Sequence, residues 1–123
     1  VEVDVPETLP RVLADAGLLE RAIANLVANA IAHGGGASVR LVAGAVGAGV
    51  DLRVVDRGPG IAREERDRMF VPFQRLGDNP QEGGVGLGLA VARGFVEAMG
   101  GRVEVEDTPG GGLTMVIRLE AAP

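Results

Sequence analysis

The chain has 123 residues, which fits one domain and leaves little room for two. Apolar residues make up 46%, enough to bury a core unaided, and the absence of cysteine excludes a disulfide framework, a Cys-ligated zinc site and thiol chemistry. A net charge of −5 with only three aromatic residues, all Phe, argues against nucleic acid as a partner and against a base-stacking platform.

Residues 1–5 alternate like a strand, not like a signal peptide, and Pro6 to Pro10 read as a turn. Asp15 is placed to cap a helix. From Leu18 the apolar residues run Leu19, Ala22, Ile23, Leu26, Val27, Ala30 and Ile31, one wide helical face that ends at Gly34-Gly35-Gly36. Ala37 to Val42 read as a strand, residues 43–49 as a Gly/Ala-rich turn, and Val50 to Asp56 as the next strand, with Val50, Leu52 and Val54 on one face. A loop at 57–60 and a short charged helix from Arg63 to Met69 follow. Gly77 to Gly86 reads as loop. Leu87 to Met99 forms a second long helix ended by Gly100-Gly101. Arg102 to Asp107 and Leu113 to Leu119 form a hairpin across three glycines. The order β-α-β-β-(α)-α-β-β predicts an α/β two-layer sandwich, with a mixed sheet packed on helices. No apolar run is long enough to cross a bilayer.

Asn25 and Asn29 lie four apart and share one helix face. They are either satisfied polar side chains or amide oxygens that coordinate Mg²⁺, a cation that prefers hard oxygen ligands alongside phosphate. His33, the single histidine, sits one turn later, as a partner of the helix dipole or as a ligand contact. Asp56 closes an apolar strand before Gly58-Pro59-Gly60. It is either a turn-initiating Asp or an acceptor for an exocyclic amine such as that of adenine, with the glycines allowing close approach. Gly83-Gly84-Val85-Gly86-Leu87-Gly88-Leu89 opens the second long helix, where free backbone N–H groups favour phosphate. Phe70 and Phe73 flank Val71-Pro72 and are either a small packing cluster or the anchor of a lid, with Arg75 available to a phosphate. A Walker A motif needs a lysine, and all twelve basic residues here are arginine. The dinucleotide pattern fails from Gly84, where position 89 is leucine, and from Gly58, where position 63 is arginine.

In this order the pieces resemble the catalytic domain of bacterial two-component sensor histidine kinases. Asn25-Leu26-Val27-Ala28-Asn29-Ala30 is similar to the family's N box. Asp56-Arg57-Gly58-Pro59-Gly60-Ile61 is similar to the G1 box, Met69 to Arg75 to the F box, and Gly84 to Leu89 to the G2 box. Asp15 and Gly112-Leu113-Thr114 match at the flanks. The runs Phe73 to Asp78 and Gly94 to Gly101 look most like the potassium-responsive Kdp-type sensor kinases of actinobacteria.

The resemblance implies the Bergerat ATP-binding fold over residues 1–123, a single domain cut from a larger kinase. It implies ATP and Mg²⁺ as cofactors. Asn29 would hold the metal with Asn25 beside it, and Asp56 would bind the adenine amine. Gly58, Gly60 and Ile61 would line the adenine pocket. His33 would sit near the asparagines. Residues 74–83 would form a lid, with Arg75 on the phosphates, and Gly84, Gly86, Leu87 and Gly88 would carry the phosphate tail. The expected partners are the kinase's own dimerisation domain, which carries the phosphoacceptor histidine, and a response regulator. Neither nucleic acid nor direct membrane contact is expected. The expected place is the cytoplasmic side of a membrane-bound parent. Ala32 stands where the family usually has a basic residue on phosphate. Losing such a contact costs roughly 1.5–3 kcal/mol, so weak ATP binding is expected. Alternatives are a degenerate scaffold that binds only protein partners, or another ATPase of the same superfamily.

Overall fold

The computed structural model describes residues 2–5, 14–33, 38–66, 68–71 and 88–121. Strand β1 (Glu2–Asp4) leads to helix α1 (Ala16–His33), then to strands β2 (Arg40–Val46) and β3 (Gly49–Val55). A single turn of helix, α2 (Arg63–Arg66), and a 3₁₀ turn (Arg68–Phe70) follow. Helix α3 (Gly88–Ala98) and strands β4 (Arg102–Asp107) and β5 (Leu113–Glu120) complete the order. The five strands form one mixed sheet in the order β1-β2-β3-β5-β4. Only β1 and β2 run parallel, joined by α1 as crossover. The remaining pairs are antiparallel.

Helix α1 starts where expected. Asp15 Oδ1 accepts the Leu18 N–H at 3.0 Å, satisfying one of the donors that a helix start leaves open. Ala22, Leu26 and Ala30, four apart, are its buried stripe, flanked by Leu19, Ile23 and Val27. Ile31, counted with that face from spacing, is 57% exposed instead. It lies about 100° round the helix from Ala30, beyond the edge of the contact. At the end of α3, Gly100 takes φ +80°. The Gly101 N–H reaches the Val96 carbonyl and the Gly100 N–H reaches that of Glu97, the paired bonds of a left-handed glycine stop.

The strand boundaries of the first hairpin depart from expectation. Residues 43–46 belong to β2, and only Gly47 and Ala48 turn. Small residues read as a loop, yet Ala43 is buried and pairs with Leu52 across the ladder. Pairing, more than intrinsic propensity, decides strand identity here. The charged helix expected from Arg63 to Met69 is likewise split into α2 and the 3₁₀ turn.

Strands β2 to β5 turn one face to the helices, while β1 is exposed throughout. Leu52 and Val54 of β3, Leu113, Met115, Ile117 and Leu119 of β5, and Val103 and Val105 of β4 form the core with α1 and α3. The opposite face carries an ionic lattice. Arg53 and Arg118 both approach Asp51 Oδ2, each at 3.4 Å, and each also reaches Glu106 at 3.4 Å. Arg118 pairs with Glu104 as well. Beneath these side chains Val116 is fully buried, although it points away from the helices.

The hydrogen bond from Arg118 holds the Glu104 carboxyl below the usual carboxylate range, against the opposing effect of desolvation. A depressed carboxylate contributes stability in full above its unfolded pKa, about 4.3, and loses it as pH falls through the lower folded value. Glu104→Gln is therefore expected to flatten the acid limb of the stability curve, read by thermal unfolding between about pH 5 and pH 3. Little change is expected at pH 7, because the pair is partly exposed and screened.

Candidate functional site

The helices run antiparallel. At one pole the Asp15 N–H meets Met99 Sδ at 3.3 Å, so the start of α1 lies beside the end of α3. At that same pole Gly100 and Arg102 line one open surface cavity with Gly49, the first residue of β3. The opposite pole therefore gathers the last residue of β3, the N-terminus of α3 at Gly88, and the half of α1 that carries Asn25 and Asn29. Three of the segments singled out from the sequence converge there.

Asp56 is a buried carboxylate at this pole. It follows β3 directly and is 6% exposed. Its backbone N–H donates to the Leu113 carbonyl at 3.0 Å, extending the β3–β5 ladder by one step. Its Oδ1 accepts two backbone N–H groups, those of Gly58 and Leu113, each at 3.0 Å. Oδ2 makes no hydrogen bond among the described residues. The carboxylate is thus fixed through Oδ1, with Oδ2 unpartnered among the described residues.

The mount requires glycine. Gly112 has φ +114°, and a Cβ there would stand 2.1 Å from the Asp56 carbonyl oxygen. The turn between β4 and β5 thus lies directly on the backbone of the Asp56 loop. Gly60 comes close to Gly112 from the other side, and Arg57 Nη1 donates to the Pro109 carbonyl at 2.6 Å. Thr108 and Thr114, both buried, join hydroxyls at 2.9 Å and brace the turn. In the sequence Gly112 reads as one of the three hairpin glycines and, with Thr114, as a flanking match. The contact that makes Gly112 necessary spans more than fifty residues and leaves no local signal.

Asn25 and Asn29 are half-buried beside the Ala22-Leu26-Ala30 stripe. Ala32 is exposed in the last turn of α1, and His33 closes that helix. Ile61 packs against the core. Phe70 is buried, with the Arg93 guanidinium of α3 4.9 Å above its ring, a cation–π contact that holds the 3₁₀ turn to α3. The described part of α3 starts at Gly88, and its first turn has no acidic residue. The lid 74–83, with Phe73, Arg75, Gly84, Gly86 and Leu87, lies outside the described residues. Among the described residues no group of three or more His, Cys, Asp or Glu side chains could hold a metal.

The family model for histidine kinase-, DNA gyrase B- and HSP90-like ATPases matches residues 14–123. The chain belongs to this family. Sensor protein KdpD of Mycobacterium tuberculosis (strain ATCC 25618 / H37Rv) is 53% identical over 121 residues, which is 98% of this chain and 14% of that protein. KdpD of Rathayibacter rathayi is 50% identical over 122 residues, 99% of this chain and 14% of its own. The chain thus spans about a seventh of the curated relatives it matches. Among solved structures, full-length ShkA in complex with AMPPNP superposes with a TM-score of 0.82 at 34% identity, over 98% of this chain and 26% of that one. The ATP binding domain of PrrB from Mycobacterium tuberculosis gives 0.77 at 30% identity, over 100% and 82%. This ATPase domain is thus of the sensor histidine kinase type, and its two-layer fold is the one the resemblance implied.

Gly112→Ala is expected to destabilise this ATPase domain by about 3 kcal/mol or more, because positive φ and a backbone clash act together. A melting temperature within about 2 °C of the parent would show that the turn can move off Asp56 at little cost.

Proposed function

We propose that the chain binds Mg²⁺-ATP at the pole where β3 ends, and donates the γ-phosphoryl group to a histidine on a separate dimerisation domain, for relay to a response regulator. The observation that carries this reading is Asp56. Two backbone amides occupy Oδ1, so Oδ2 is left to accept from the exocyclic amine of adenine. Gly58, Gly60 and Ile61 then line the ring. The N-terminal end of α3 at Gly88, continuing from Gly84, Gly86 and Leu87, faces the phosphates with its backbone N–H groups. Asn29, with Asn25 beside it, holds Mg²⁺ through amide oxygen, and His33 completes that side. Bound Mg²⁺ supplies charge neutralisation at the phosphates, and Arg75 adds to it. In phosphoryl transfer, positioning and neutralisation supply most of the rate.

Residues 1–123 act in this reading as one catalytic domain of a larger kinase on the cytoplasmic side of a membrane. No helix among the described residues is long and apolar enough to cross one. The close likeness to KdpD sensor proteins over nearly the whole chain supports the kinase assignment, and the AMPPNP complex of ShkA supports ATP. Ala32 favours a second reading, a nucleotide-poor scaffold, since it removes a cation from the phosphate end of α1.

Titration calorimetry with a non-hydrolysable ATP analogue, with and without Mg²⁺, separates the two. Magnesium-enhanced binding is expected, weaker than micromolar because of Ala32. Asp56→Asn keeps an oxygen for the two backbone amides and turns its NH₂ toward the adenine amine, donor against donor. A loss of at least about tenfold in affinity is expected, with the melting temperature little changed. No binding at millimolar nucleotide would favour the scaffold. Mixed with labelled ATP, the chain alone is expected to stay unphosphorylated, since its one histidine lies at the nucleotide pole. It should label only an added dimerisation domain. Robust self-labelling would overturn that assignment.

A further inference from the structure

Helix α2 raises a structural question, because none of its four residues is buried. A single exposed turn has no core contact to hold it, and single turns are not stable alone. The attachment is Arg66, whose side chain is only 16% exposed. Its Nε donates to the Ile61 carbonyl at 3.4 Å, and its Nη2 pairs with Asp107 Oδ1 at the end of β4. One planar guanidinium thus joins three pieces: α2, the last residue of the Asp56–Ile61 loop, and the strand that leads into the Gly112 turn.

We infer that Arg66 is a positioning residue for adenine recognition, clamping the far end of the Asp56–Ile61 loop against β4. The inference rests on the nucleotide reading above. Gly112 fixes the loop at its Asp56 end, and Arg57 ties it to Pro109. Arg66 fixes the other end. Between these points lie Gly58 and Gly60, which face the ring and have no side chains to hold them. Asp107 is mostly exposed, so its pairing with Arg66 adds little to global stability. Its effect is local, on where the Ile61 carbonyl and the loop beneath the ring stand. Adenine presents a donor amine to Asp56 Oδ2 where guanine presents a carbonyl oxygen. A loop that drifts loses its fit to adenine first, while a purine held by its phosphates alone is affected less.

The test measures affinities of the chain for non-hydrolysable ATP and GTP analogues with Mg²⁺, together with melting temperatures. Arg66→Ala is expected to weaken the ATP analogue about tenfold and the GTP analogue far less, so the preference for adenine narrows. The melting temperature should stay within about 3 °C of the parent. Asp107→Asn, which breaks the same pair from an exposed position, should move the preference in the same direction, and it serves if Arg66→Ala does not fold. The exchanged pair Arg66→Asp with Asp107→Arg should not restore adenine preference, since the bond to the Ile61 carbonyl is still missing. Unchanged preference in Arg66→Ala and Asp107→Asn overturns the inference. So does an equal loss for both analogues accompanied by a large fall in melting temperature. A parent chain that binds neither analogue overturns the nucleotide reading itself, and the positioning role with it.

Discussion

At the end of β3 a carbonyl group and a glycine share space that no side chain can enter. Gly112 lies on the Asp56 backbone, Leu113 exchanges hydrogen bonds with Asp56, and Oδ1 closes the arrangement by accepting from Leu113 and Gly58. Burying a carboxylate is costly unless its charge is met by donors. Two backbone amides meet it here, and they belong to the sheet and to the first residues of the loop. The direction of Oδ2 is thus inherited from strand register. Register in turn is set by the apolar alternation of β3 and β5, since a slip of one residue would turn Leu52, Val54, Met115 and Ile117 out of the core. The chemistry of the pole and the packing of the core are one constraint.

The helices are arranged to serve the same pole. Their other ends are tied by the Asp15 cap, the Met99 sulfur and the glycine stop at 100–101. With those ends closed, the half of α1 bearing the asparagines and the start of α3 both lie at the pole where β3 ends. Phe70, beneath the Arg93 guanidinium, holds the 3₁₀ turn against α3. Anchors at the far pole thereby fix the relative placement of groups at the near one.

Much of this was legible from sequence because it is written in short periods. The α1 stripe at intervals of four, the alternation in β3 and β5, the Asp15 cap and the glycine stops are all local signals, and they gave the element order and the sheet. The four boxes were legible because each is contiguous. What could not be read depends on partners distant in the chain. Residues 43–46 look like a loop until β3 pairs with them. Ile31 falls on the apolar face by spacing and outside it by contact. The bonds of Arg66 to Asp107 and Arg57 to Pro109 cross 41 and 52 positions. No pattern in an arginine-rich sequence distinguishes these two guanidinia from the others.

The ionic lattice on the outer face of the sheet has a different consequence. A two-layer sandwich leaves one side of its sheet without a second layer, and that side usually needs a partner or a polar surface. Here Arg53 and Arg118 lie over β3, β5 and β4 and leave Val116 dry and Asp51 only 5% exposed. The face is finished by its own side chains, with charges answered within the lattice. A body closed in this way can pivot relative to whatever it is joined to without wetting hydrocarbon on that side. Reorientation then carries almost no hydration penalty there.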